Sequence, residues 1–267
     1  MFMFIIDLFI KTGLETLYFT GALILAGLLL GVLETQSNRN FQKSLGRNAI
    51  MVTGVIGTPI HELSHALTAL IFGHKITDIK LFQRPDQDGV MGYVNHAYNS
   101  KNIYHQVGNF FIGIAPIFGG LLVIMALMGL LLPQVLESFM ALLTQGMAVE
   151  SLSMASFAGV FTAYLELLKL IFAGENFHNL SFYLFLFLAI CISAHISLSP
   201  ADIKGAIKGL IFIFLILLIL NAIGLSQSIL TVDVLKYNVL MTSFLMIAVI
   251  FSLLTFVISL ICRILTR

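Results

Sequence analysis

The sequence predicts an all-α polytopic membrane protein of about six transmembrane helices, with a small β-hairpin after the second. Three observations lead there. Of 267 residues, 59% are hydrophobic and only 10% charged, with a mean hydropathy of +1.01, which is too little polar surface for a soluble domain of this length. Apolar stretches of spanning length recur along the chain between short polar segments. One stretch, residues 75–98, instead alternates between β-prone and polar residues around the turn sequence Arg84-Pro85-Asp86-Gln87-Asp88-Gly89.

Taken in order, residues 1–12 are apolar but too short to span, as in an interfacial helix or a lead-in. Their start has no basic region and no small-residue cleavage site, and so reads as mature chain rather than a removable signal. The first span is expected over Leu14 to Leu33, followed by a polar loop from Glu34 to Arg47. A second span runs from Asn48 to Gly73, and the hairpin follows with strands in 75–83 and 90–98. The third span, Ile103 to Leu132, contains Gly113, Pro116, Gly119 and Gly120, which suggest a kink or a close helix contact. Residues 133–176 are broken by Glu137, Glu150, Glu166 and Lys169 and read as amphipathic helices at the surface. Three further spans are expected over Leu180–Leu198, Ile203–Ile223 and Asn238–Ile261. No repeat or low-complexity segment divides the chain, so residues 1–267 form one membrane domain.

Charge sets the expected orientation. With both termini cytoplasmic, nine basic residues lie inside (Lys11, Lys75, Lys80, Arg84, Lys101, Lys204, Lys208, Arg263, Arg267) and five outside (Arg39, Lys43, Arg47, Lys169, Lys236), as the positive-inside rule requires. A further span over residues 154–173 would flip the later segments and equalise the two sides at seven each. The composition suits a bacterial inner membrane. A net charge of +1 without a basic run gives no reason to expect nucleic acid as a partner. Cys191 and Cys262 both fall in apolar stretches and read as small core residues rather than a disulfide or ligands.

Against this background residues 61–65, His-Glu-Leu-Ser-His, stand out. An ionisable side chain in hydrocarbon costs about 3 kcal/mol or more without a partner, so three in one span need an explanation. On a helix, positions i and i+4 share a face, and His61 and His65 can both turn a ring nitrogen to one metal ion. Glu62 then lies beside the metal. In this H-E-x-x-H arrangement the histidines hold zinc and the glutamate takes a proton from the water that zinc activates.

A catalytic zinc usually takes a third protein ligand. Ser199 can cap a helix whose first residue is Pro200, which puts Asp202 in its first turn, at a depth comparable to His65, about 12 Å from the end of its own span. By itself such an acid could merely favour the helix macrodipole. His195 is the rival third ligand, or else a packing or supporting histidine. His74, His96, His105 and His178 lie at span ends or in loops, where solvated histidines need no special account.

The motif in a span, the hairpin after it and the Pro-x-Asp element at a later span resemble the site-2 protease family of intramembrane zinc metalloproteases. The resemblance covers roughly residues 48–223. Ser64 stands where the family commonly has Gly, Pro200-Ala201-Asp202-Ile203-Lys204-Gly205 loosely matches its Asp segment, and Gly113-Ile114-Ala115-Pro116 faintly echoes its third core span. It implies hydrolysis of a peptide bond in a membrane-embedded or membrane-proximal protein, with Zn2+ on His61, His65 and Asp202 and with Glu62 as general base. A helical substrate must first unwind, and the hairpin edge offers strand addition to hold it. For an oxyanion donor the sequence offers no more than Asn109. A metal-handling or transport protein and a proteolytically silent scaffold are the alternatives. Substrate, regulator and oligomeric state are not legible.

Overall fold

The computed structural model describes residues 2–46, 49–87, 89–147, 162, 165–224 and 233–266. It consists of helices α1 (Phe2–Leu45), α2 (Ala49–Ile71), α3 (Ile103–Leu131), α4 (Pro133–Met147), α5 (Leu180–Ser193), α6 (Pro200–Ala222) and α7 (Asp233–Leu265), with strands β1 (Lys75–Lys80) and β2 (Tyr93–Ala97) between α2 and α3. Residues 165–171 are also helical, and Gly174–His178 form a short 3₁₀ turn before α5. The strands pair antiparallel, Lys75 opposite Ala97 and Lys80 opposite Tyr93, with an irregularity at Ile76/Asp78. An all-α membrane fold with one hairpin is therefore present.

Among the described residues, four helices are long and apolar enough to cross a membrane: Ile5–Leu45, Ile103–Leu131, Pro200–Ala222 and Leu245–Leu265. The expected six is thus not reached on length and apolarity. In α2 the polar residues of the His-Glu motif, with Thr53, Thr58 and Thr68, lower the hydropathy of a 23-residue helix. In α5 the chain leaves the helix at Ser193, so its 14 residues rise only about 21 Å against a hydrocarbon core of about 30 Å. Half of residues 154–173 lie outside the described residues.

The N-terminal expectation also needs correction. Residues 1–12, the first span and the polar loop from Glu34 are one helix, α1, which ends at Leu45 before Gly46 with φ 86°. Neither Pro nor Gly interrupts residues 34–45. Their polar groups find partners: the Ser37 hydroxyl donates to the Leu33 carbonyl, Asn40 donates to Ser259 on α7 at 3.2 Å, and Arg263 donates to Asn40 at 3.0 Å. Lower in α1, Asn221 of α6 donates to Glu15 and Thr12. In the segment after α3, α4 is amphipathic as expected, with Val135 and Phe139 buried in the core and Glu137 and Met140 exposed.

Helix α3 runs through the centre of the core, where Ile117, Ile124 and Met128 are fully buried with Leu30 of α1, Phe185 of α5 and Ala248 of α7. Its small residues serve close approach, since a Cβ on Gly113 would lie 2.8 Å from the Ala206 Cβ of α6. The same device on α2 seats the segment after α5: a Cβ on Gly57 would lie 2.7 Å from Cδ2 and 2.9 Å from Cβ of His195. Gly57→Ala is therefore expected to cost about 1–3 kcal/mol by overpacking. Gly31→Ala, with open space around it, should be neutral or slightly stabilising. Denaturant unfolding of the detergent-solubilised variants checks this, and equal midpoints would contradict it.

Candidate metal centre

α2 presents His61 and His65 on one face, as the i, i+4 spacing requires. Their Nε2 atoms lie 3.1 Å apart, and the rings meet edge to face with centroids 4.8 Å apart. The other nitrogen of each ring is held by backbone: His61 Nδ1 lies 2.7 Å from the His195 carbonyl oxygen, and His65 Nδ1 lies 2.7 Å from that of Ile112. A carbonyl oxygen only accepts, so both Nδ1 atoms carry protons, and each ring in its neutral form presents its Nε2 lone pair to the cluster. Two lone pairs facing at 3.1 Å repel unless a cation lies between them.

The carboxylate of Asp202 completes the cluster. Its Oδ1 is 3.1 Å from His65 Nε2 and its Oδ2 3.6 Å from His61 Nε2. Among the described residues, His61, His65 and Asp202 form the one group of three such side chains whose donor atoms come within 4.8 Å of one another. Asp202 is placed as the sequence suggests: Pro200 opens α6, Asp202 N donates to Ser199 Oγ at 3.2 Å, and Ser199 N donates to Asp202 Oδ2 at 2.8 Å. Two imidazole nitrogens with fixed tautomers and one carboxylate fit a divalent cation and leave room for a further ligand.

His195 does not join the cluster. Its ring faces Thr53, with Nε2 3.0 Å from the hydroxyl oxygen, while its backbone carbonyl orients His61. Glu62 is buried, and among the described residues no hydrogen bond occupies its carboxylate. Gly92 lets the hairpin close over it, for a Cβ there would lie 2.8 Å from Glu62 Cγ and from Thr58 Cγ2. Beside it the Thr58 hydroxyl is buried with no hydrogen-bond partner among the described residues. Asn109 and Gly113 line the same cleft.

Two hollows meet at the cluster. A cleft of about 750 Å³ lies between β2, α3 and the start of α6, with His61, Glu62, His65 and Asp202 in its floor and Tyr93–His96 along its wall. On the other side a smaller cavity of about 250 Å³ joins His61 and Glu62 to Glu34, Ser197 and Ser199. It continues at Glu34 into a polar groove between α1 and the hairpin turn, lined by Asn38, Gln42 and Arg84. The sequence places Glu34 in a polar loop, whereas in the structure it lies in α1 beside the site. The legible signal was the spacing of Glu34, Asn38 and Gln42, which repeats every four residues like a helix face rather than a loop.

The histidines at the hairpin base also differ from expectation. His74 is only 2% exposed, stacks on Tyr98, approaches His105 of α3, and lies with its Nδ1 2.9 Å from His96 Nδ1. Its Nε2 donates to the His105 carbonyl at 2.9 Å, so its Nδ1 accepts the proton of His96 and the His74 ring is neutral. Only His178 is the exposed histidine anticipated. Comparison with known protein families, curated proteins and solved structures finds no match.

Burial lowers the pKa of His74, and burial, reinforced by the neighbouring imidazoles of His74 and His65, lowers that of His96. An unfolded histidine titrates near 6.5, so the unfolded hairpin binds more protons than the docked one below that value. The stabilisation from these two rings is present in full above pH 6.5, and it is lost as the pH falls through their depressed folded values. Amide hydrogen exchange, corrected for intrinsic rates, should show protection in β1 and β2 lower at pH 5.5 than at pH 8. Equal protection would contradict the assignment.

Proposed function

We propose that this chain is an intramembrane zinc metalloprotease of the site-2 protease type, hydrolysing a peptide bond of a membrane-embedded or membrane-proximal protein. The observation that carries the reading is the convergence of His61 Nε2, His65 Nε2 and the Asp202 carboxylate, with both Nδ1 protons held by backbone, beside the unoccupied carboxylate of Glu62. Nitrogen and carboxylate donors of this kind suit zinc, which when bound supplies a Lewis acid that acidifies water and polarises a carbonyl.

The chain's own groups account for the remaining steps. Glu62 accepts the proton of the attacking water on a carboxylate oxygen and passes it to the leaving amide nitrogen. The carbonyls of His195 and Ile112 keep the imidazoles from rotating away. β1 pairs with only one edge of β2, and β2 lines the cleft, so an unwound substrate segment can add to it as a strand. The cleft wall is largely apolar and the groove beyond Glu34 is polar, which suits a cut near the membrane surface. The setting is a bacterial inner membrane with both termini in the cytoplasm.

Incubating zinc-loaded, detergent-purified protein with solubilised membranes and labelling new protein N-termini tests this without a known substrate. Wild type should generate new termini, chelation should abolish them and zinc should restore them. Glu62→Gln should lower their yield by about 10²-fold or more while leaving zinc bound. The same termini at the same rate from Glu62→Gln would overturn the general-base role.

A further inference from the structure

We propose that Glu34 of α1 is a positioning residue for the metal centre, acting through Ser197 on the linker that joins α5 to α6. The inference rests on reading His61, His65 and Asp202 as metal ligands. Residues 194–199 are not helical, yet Ala194, His195 and Ile196 are buried. Such irregular backbone has no ladder of its own to hold it and takes its shape from side-chain partners. Among the described residues, besides His61 at the His195 carbonyl, Thr53 of α2 meets the His195 ring at 3.0 Å, the Ser197 hydroxyl donates to the Glu34 carboxylate, and Ser199 closes the capping box with Asp202.

Two ligands depend on this linker. Its His195 carbonyl fixes the ring of His61, and its Ser199 fixes the carboxylate of Asp202. Ser197 stands midway, two residues from each, so a tether there sets both at once. Glu34 touches neither ligand directly by hydrogen bond; it reaches the cavity beside His61 and Glu62 and meets the linker at Ser197, at both its hydroxyl and its backbone.

The test is zinc affinity of the full-length protein in detergent, measured by competition with a chromophoric chelator, beside thermal unfolding of the metal-free form. Glu34→Ala should weaken zinc binding tenfold or more. Glu34→Gln should recover most of the loss, because the amide oxygen still accepts from Ser197, whereas Glu34→Asp, one methylene shorter, should not. Ser197→Ala, which keeps the backbone contact to Glu34, should weaken zinc binding by part of that factor, and the double variant should be no worse than Glu34→Ala. It also covers the case in which Glu34→Ala fails to fold. Wild-type affinity in both single variants, or additive losses in the double one, would overturn the positioning role and leave the metal centre standing. A wild type that retains no zinc would instead overturn the metal centre, and this inference with it.

Discussion

The structure depends on one constraint: the imidazoles of the site, lying within an apolar bundle, must be partnered inside the protein. Two histidines, a glutamate and an aspartate gather where α2, α3 and the start of α6 meet, and each imidazole uses a backbone carbonyl from another element to hold its Nδ1 proton. Those carbonyls are available for different reasons. That of Ile112 lies in α3 ahead of Pro116, whose missing N–H leaves a helical carbonyl, at Ile112, without its usual i+4 donor. That of His195 lies in the linker where α5 has ended. Breaks in regular hydrogen bonding thus become anchors for the ring orientation.

The elements around the site are shaped to the same end. Small residues set the helix spacings: Gly57 admits His195 against α2, Gly113 admits α6 against α3, and Gly92 admits the hairpin against Glu62. The hairpin is fastened at its base by His74, His96 and His105, so the strand that walls the cleft is held to the end of α2 and the start of α3. The long helix α1 contributes more than anchorage, for its polar stripe forms one side of a second approach to the site.

Much of this was legible in the sequence. The spacing of His61 and His65, the Ser199 cap, Pro200 at the helix start and the hairpin turn all rest on local rules, and each element stands within a few residues of its expected place. What was not legible depends on tertiary contacts. Glu34 reads as the start of a loop by polarity alone; the partners that keep it helical and bury its carboxylate come from residues more than 160 positions away. Length counting made a span of 180–198 because apolarity continues past Ser193, whereas the chain turns there to bring a carbonyl to His61. The pairing of His74 with His96 crosses 22 residues and has no local signature.

The account stands or falls on a cation held by His61, His65 and Asp202, and elemental analysis of the detergent-purified protein tests it most directly. The account predicts about one zinc per chain in wild type, its loss in Asp202→Ala, and its retention in His195→Ala, where the backbone carbonyl that orients His61 survives. Zinc absent from folded wild type even after loading, or lost in His195→Ala and kept in Asp202→Ala, would contradict it.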